Sequence, residues 1–175
     1  KGAVDCLRAL GRIADERGAV AMVVGGVVRD LLLGVPNVDL DVVVSEPAAE
    51  FGKAAAGALG GGVRAVTRFG TALLVLPDGL KVDLATARSE VYERPGALPT
   101  VSSGTLADDL LRRDFTVNSL AVVINERGFG ALVDHFGGLA DLEAGVLRVL
   151  TDASFEDDPT RILRAVRLSA RYGFR

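Results

Sequence analysis

Two carboxylates one residue apart, Asp39 and Asp41, are the side chains in this sequence whose type and spacing point most directly to chemistry. In a strand, residues two apart point to the same face. Asp39 and Asp41 therefore project together, while Val38, Leu40 and Val42 face the other way. Adjacent carboxylates repel one another unless a cation sits between them. Oxygen-only donors of this kind suit Mg²⁺, which keeps waters and borrows phosphate oxygens to complete its octahedron. Upstream, Gly25 and Gly26 interrupt an apolar run. Lacking side chains, they let backbone N–H groups come close to a phosphate at a helix start. Alone, a Gly-Gly is usually a turn and an Asp-x-Asp usually a solvated strand edge. Together, each at a strand end, they describe what a nucleoside triphosphate site requires. No G-x-G-x-x-G follows the first strand, so the dinucleotide alternative fails.

The elements that must position these residues are legible from periodicity. Val4, Leu7, Leu10, Ile13 and Ala14 fall at helical spacing, so an amphipathic helix opens the chain. Val20 to Val24 reads as a buried strand, Val27 to Leu33 as one or two helical turns closed by Gly34, and Val38 to Val44 as a second strand. Pro47 begins a helix that runs to about Leu59. Val63 to Thr67, Thr71 to Leu76 and Leu80 to Thr86 read as strands, the last two joined by a Pro77-Asp78-Gly79 turn. Ser89 to Gly104, with two prolines and small polar residues, reads as a long mobile loop. Ala121 to Ile124 is a further short strand. A helix follows Asp158-Pro159 over Thr160 to Arg171, with Ile162, Leu163, Val166 and Ala170 on one side and arginines on the other.

Composition narrows the function classes. The length of 175 residues fits one domain with the beginning of a second, and half the residues are hydrophobic, enough to bury a core. No apolar stretch is long enough for a membrane span and none has the form of a secretory leader, so no membrane partner and a cytoplasmic location, or an organellar one, are expected. One cysteine and one histidine leave no set of zinc ligands. Cys6 lies in the apolar stripe of the first helix, which gives it a core role. A net charge of −3 is not the footprint of a domain that grips nucleic acid by its backbone. Any such grip must come from local clusters, such as Arg161, Arg164, Arg167 and Arg171. The chain opens at Lys1 rather than methionine and stops at Arg175 straight after a helical pattern, so it reads as a piece of a longer protein.

Beyond these readings, four segments carry a resemblance. Gly25-Gly26-Val27-Val28-Arg29-Asp30-Leu31-Leu32-Leu33-Gly34, continuing to Asp39-Leu40-Asp41, resembles the first motif of the class II CCA-adding enzymes and bacterial poly(A) polymerases. These belong to the polymerase-beta nucleotidyltransferase superfamily. Arg112-Arg113-Asp114-Phe115-Thr116-Val117-Asn118 is similar to the second motif of that family, and Asp134 to Leu142 to the third. Asp157-Asp158-Pro159-Thr160-Arg161-Ile162-Leu163-Arg164 resembles the nucleotide-selecting motif, with Asp157 where a glutamate is usual. All four stand in the family order and cover most of the chain.

The resemblance implies an α+β fold: a nucleotidyltransferase head over residues 1–147, with a small mixed β-sheet backed by helices, then the start of an all-helical neck over 148–175. It implies that Asp39 and Asp41 hold two Mg²⁺ ions, one activating the RNA 3′-hydroxyl and the other steadying the triphosphate and departing pyrophosphate. Asp83 stands where the superfamily often places a third carboxylate. Asp114 and Asn118 would contact the ribose, and Arg113 and Arg29 would serve the triphosphate or brace the site. Asp158 and Arg161 would read the Watson–Crick edge of the incoming base. A carboxylate accepting from an exocyclic amine and a guanidinium donating to ring acceptors suit both CTP and ATP. An i, i+3 salt bridge or helix capping by Asp158 is the structural alternative, compatible with base reading. Arg164 joins the nucleotide-binding set. With Arg167 and Arg171 it continues a basic face that is either solvated surface or a path for RNA.

The function implied is template-independent transfer of CMP and AMP from CTP and ATP to the 3′ end of tRNA. A-only addition and poly(A) tailing of RNA are the alternatives. The segment Glu90 to Gly104, including Tyr92 to Pro99, resembles the flexible loop of enzymes that add A, which disfavours CC-only addition. A non-catalytic RNA-binding remnant predicts erosion of the carboxylates, yet all are present. A cousin acting on a small molecule leaves the second and fourth motifs without a purpose.

Overall fold

The computed structural model describes residues 2–67 and 70–175. They divide into two compact units, Lys1–Ala87 with Ala121–Val133, and Arg88–Leu120 with Asp134–Arg175. Among the described residues no helix is long and apolar enough to cross a membrane.

The first unit is built on a sheet. Its helices are α1 (Gly2–Glu16), α2 (Gly26–Leu32) and α3 (Ala48–Leu59). Its strands are β1 (Ala21–Val24), β2 (Leu40–Val44), β3 (Gly62–Val66), β4 (Thr71–Val75) and β5 (Lys81–Thr86), with β8 (Ala121–Val123) and β9 (Leu132–Val133) from the later segment. The order is β3-β4-β5-β2-β1-β8-β9. Only β2 and β5 run parallel; the remaining neighbours are antiparallel. The mixed sheet is the one expected from the resemblance.

One face of this sheet is covered by α3, which packs over β2, β3, β4 and β5. Leu40, Val42, Val82, Leu84, Ala72 and Leu74 alternate along their strands and are all buried. At Gly52 a Cβ would meet the Leu84 and Val63 side chains at 3.2 and 3.3 Å, so α3 lies close to the sheet. Helix α1 is held from its last turn. The Asp15 carboxylate accepts from the Asn125 amide at 2.7 Å and from the Glu126 backbone N–H at 2.8 Å. Those hydrogen bonds hold the Asp15 carboxyl below its ordinary value. Cys6 is buried in α1 as expected, and burial, then the Asp78 charge, push its thiol up to about 11.

The second unit is mainly helical: α4 (Leu106–Leu111), a 3₁₀ turn at Thr116–Asn118, α5 (Gly138–Ala144), α6 (Ser154–Asp157) and α7 (Thr160–Tyr172). It also holds a two-stranded ribbon, β6 (Arg88–Val91) with β7 (Thr100–Ser103). The expectation of a long mobile loop over Ser89 to Gly104 did not include these paired strands. The strands are four residues each and largely polar, so no alternation of apolar residues marks them. Polar pairs hold them instead: the hydroxyls of Ser89 and Ser102 lie 2.8 Å apart across the ribbon. Helix α4 begins with a full capping box between Thr105 and Asp108. The Asp134 carboxylate accepts from the Gly138 and Leu139 N–H groups at 2.8 and 2.9 Å, closing the start of α5.

Helix α7 follows the periodicity, but its apolar side is open. Ile162, Leu163 and Val166 are more than half exposed, whereas Arg161 is the buried residue of the helix.

Candidate active site

Asp41 lies in β2, and its Cα partner across the parallel pairing with β5 is Asp83. Parallel neighbours in register present their side chains on the same face, with backbones about 4.8 Å apart. Leu40, Val42, Val82 and Leu84, which flank the two aspartates, turn to the α3 side and are buried, so Asp41 and Asp83 occupy the opposite, exposed face. Like charges placed side by side in a sheet are destabilising.

Asp39 is not itself in a strand, because β2 begins at Leu40. The reason is local. The Asn37 side-chain oxygen accepts from the Asp39 N–H at 2.8 Å, taking the backbone group a ladder would use. Asn37 in turn donates its amide to Asp30 at 2.7 Å. Asp30 is fully buried and accepts from Arg29 Nε and Nη2 at 2.9 and 2.7 Å. Through these contacts the Arg29 guanidinium holds Asp30, and Asp30 holds the Asn37 side chain that bonds Asp39. Sequence reading did not find that Asn37 ties the two acidic segments together. An asparagine just before a strand was the available signal.

Gly25 caps α2 with φ 79° and ψ −138°, a backbone conformation only glycine adopts without strain. Its carbonyl accepts from the Val28 and Arg29 N–H groups at 3.1 and 3.3 Å, which turns the chain at once from β1 into α2. Gly26 is the first residue of that helix, and a Cβ there would already sit 3.4 Å from the Arg29 guanidinium.

The second unit gathers the other expected residues. Asp114 is buried; its Oδ1 accepts from the Phe115 N–H and the Asn118 amide, both at 2.9 Å, and its Oδ2 accepts from Arg164 Nε at 2.7 Å. Asp114, Asn118 and Arg164 therefore form one hydrogen-bonded cluster. Arg113 donates from Nη2 to Asp109 at 3.1 Å, while its Nε is buried without a hydrogen-bond partner among the described residues. A buried donor in that condition costs stability until a ligand or water meets it.

Arg161 donates to the Ser154 hydroxyl at 2.6 Å and to the Arg112 carbonyl at 2.9 Å. Its Nε lies 3.9 Å from Asp158 Oδ2. Asp158 Oδ1 accepts from the Thr160 N–H and hydroxyl at 2.9 and 2.6 Å, so it caps α7, with Pro159 in helical conformation behind it. Asp109, Glu90 and Ser154, which hold the arginines, were not found from sequence, because each lies outside the quoted motifs and acts only through the arginine it holds.

As to a metal, the donors are right but incomplete. Asp41 and Asp83 offer oxygens on one face with Asp39 two residues away, yet among the described residues no three His, Cys, Asp or Glu side chains are grouped to hold an ion. A hard divalent cation that draws the rest of its shell from water and phosphate fits such a set.

Residues 21–148 match the family described as the Poly A polymerase head domain. The chain belongs to that family. An A-adding tRNA nucleotidyltransferase of Geobacter sulfurreducens is 51% identical over 98% of this chain, which spans 19% of that protein. A CC-adding tRNA nucleotidyltransferase of Deinococcus radiodurans is 47% identical over 94% of the chain, which spans 44% of it. In structure, the Thermotoga maritima CCA-adding enzyme complexed with tRNA aligns with a TM-score of 0.86 at 46% identity, covering 98% of this chain and 38% of that one. The head-domain match covers the sheet strands and the first three motifs.

Proposed function

We propose that the protein transfers CMP and AMP from CTP and ATP to the 3′ end of tRNA without a nucleic-acid template. The observation that carries this reading is the register of Asp41 against Asp83 on the open face of the sheet, with Asp39 braced just ahead of them. These carboxylates would hold Mg²⁺, which supplies a more acidic 3′-hydroxyl and neutralises charge on the triphosphate. Gly25 and Gly26 present backbone rather than side chains where phosphate must approach. Asp114 and Asn118, already locked to each other, form a preorganised polar pair for the ribose, and Arg113, held through Nη2 by Asp109, brings a cation for an anionic group.

Base choice falls to Asp158 and Arg161. A guanidinium has five N–H donors, and two of its nitrogens are engaged by Ser154 and Arg112, so it is aimed while donors remain for a base. ATP and CTP present an amine beside a ring acceptor, which complements a carboxylate beside a guanidinium. GTP and UTP would set a carbonyl against the carboxylate. Residues 148–175 would begin a helical neck, and the cytoplasm is the expected compartment. Addition of A alone is the second reading, favoured by the A-adding name of the relative that is 51% identical.

Full-length protein with Mg²⁺ and tRNAs ending before CCA, after C or after CC, each with labelled CTP or ATP, separates these readings. Incorporation of C then A supports CCA addition, and AMP alone on the CC end supports the A-only form. Absence of incorporation on every tRNA would remove the proposal.

A further inference from the structure

We infer that Arg112 is a positioning residue for base choice, set by a two-acid clamp from Asp109 and Glu90. The inference rests on the base-reading role given above to Arg161. Arg112 ends helix α4, and its carbonyl is one of the groups that a helix C-terminus leaves without an intrahelical partner. That carbonyl accepts from Arg161 Nη2 at 2.9 Å. Where it points decides where the Arg161 guanidinium points.

The Arg112 side chain is held at both ends of its guanidinium. Nε and Nη2 donate to Asp109 Oδ1 at 3.0 and 2.7 Å, and Nη1 donates to Glu90 Oε1 at 3.3 Å. Both acids are nearly buried, with side chains 1% and 7% exposed, so little solvent screens the clamp. Glu90 belongs to the β6–β7 ribbon and also accepts from Arg88 at 2.8 Å and from the Tyr92 hydroxyl at 3.3 Å. The tip of that ribbon reaches α6, where the Gly96 N–H donates to the Glu156 carbonyl at 2.9 Å. The ribbon is thus tied to the segment that carries Arg161 at two points, one of them through Arg112. A one-ångström misplacement of a reading group is enough to degrade discrimination.

The test uses full-length protein, a tRNA ending in CC, and the variants Glu90→Gln and Arg112→Lys. The quantity read is the ratio of kcat/KM for ATP to that for GTP, alongside Tm. The expected result is a fall of about tenfold in the ratio, with kcat for ATP within about threefold of wild type. A wild-type ratio in both variants with a lowered Tm would overturn the inference, since the clamp would then only hold the ribbon. Equal losses for ATP and GTP would overturn it as well. Should Arg112→Lys not fold, Glu90→Gln decides alone. A wild-type protein that adds nothing to any tRNA removes the underlying reading and this inference with it, an outcome recognisable from the control.

Discussion

Asp41→Ala is expected to lower nucleotide transfer by ~10³-fold while leaving Tm within about 2 °C of wild type. The size follows from removing a ligand of a cation whose charge stabilisation in the transition state is several kcal/mol. Asp83→Ala should behave in the same way, because its Cα is the in-register partner of Asp41 across the parallel pair. Stability should hardly move, since both side chains are on the exposed face of the sheet. Transfer assays and thermal melts on the same preparations give both numbers. A loss of activity that tracks a loss of Tm would instead make the aspartates structural.

Gly11→Ala is expected to act on the fold alone. In α1, alanine is favoured over glycine by about 1 kcal/mol of helix propensity. A Cβ at this position would, however, lie 1.8 Å from the Ile124 carbonyl oxygen. That oxygen belongs to a backbone segment whose own N–H is bonded to Ala21 at 3.1 Å, so it cannot simply step aside. Nor can α1 shift freely, with Asp15 fastened to Asn125 and Glu126. Overpacking against backbone therefore outweighs propensity, and a net loss of about 3 kcal/mol is expected. Urea unfolding measures it. A variant as stable as wild type would show that α1 does not approach the Ile124 backbone this closely at Gly11.

How much of this was legible beforehand differs by element. The Asp39-Leu40-Asp41 spacing and the glycine pair point to phosphate chemistry from residue types alone. The Asp41–Asp83 register did not follow from local pattern, since parallel pairing of strands far apart in sequence is settled by tertiary packing. The α3 face could be read from alternating apolar residues, whereas the β6–β7 ribbon could not, its strands being short and polar. Arg161 was placed by resemblance, but its burial and its contacts with Ser154 and Arg112 come from the fold. The same holds for Asn37, Asp109 and Glu90, whose effect lies entirely in what they hold.

Mn²⁺ in place of Mg²⁺ reports whether the aspartates on the exposed sheet face form a divalent-cation site for a nucleotide. Bound Mn²⁺ is followed by electron paramagnetic resonance with and without a non-hydrolysable ATP analogue. Binding is expected to strengthen with the nucleotide in the wild-type protein and to be lost in both Asp41→Asn and Asp83→Asn. Nucleotide-dependent Mn²⁺ binding that persists at wild-type strength in either variant would contradict it.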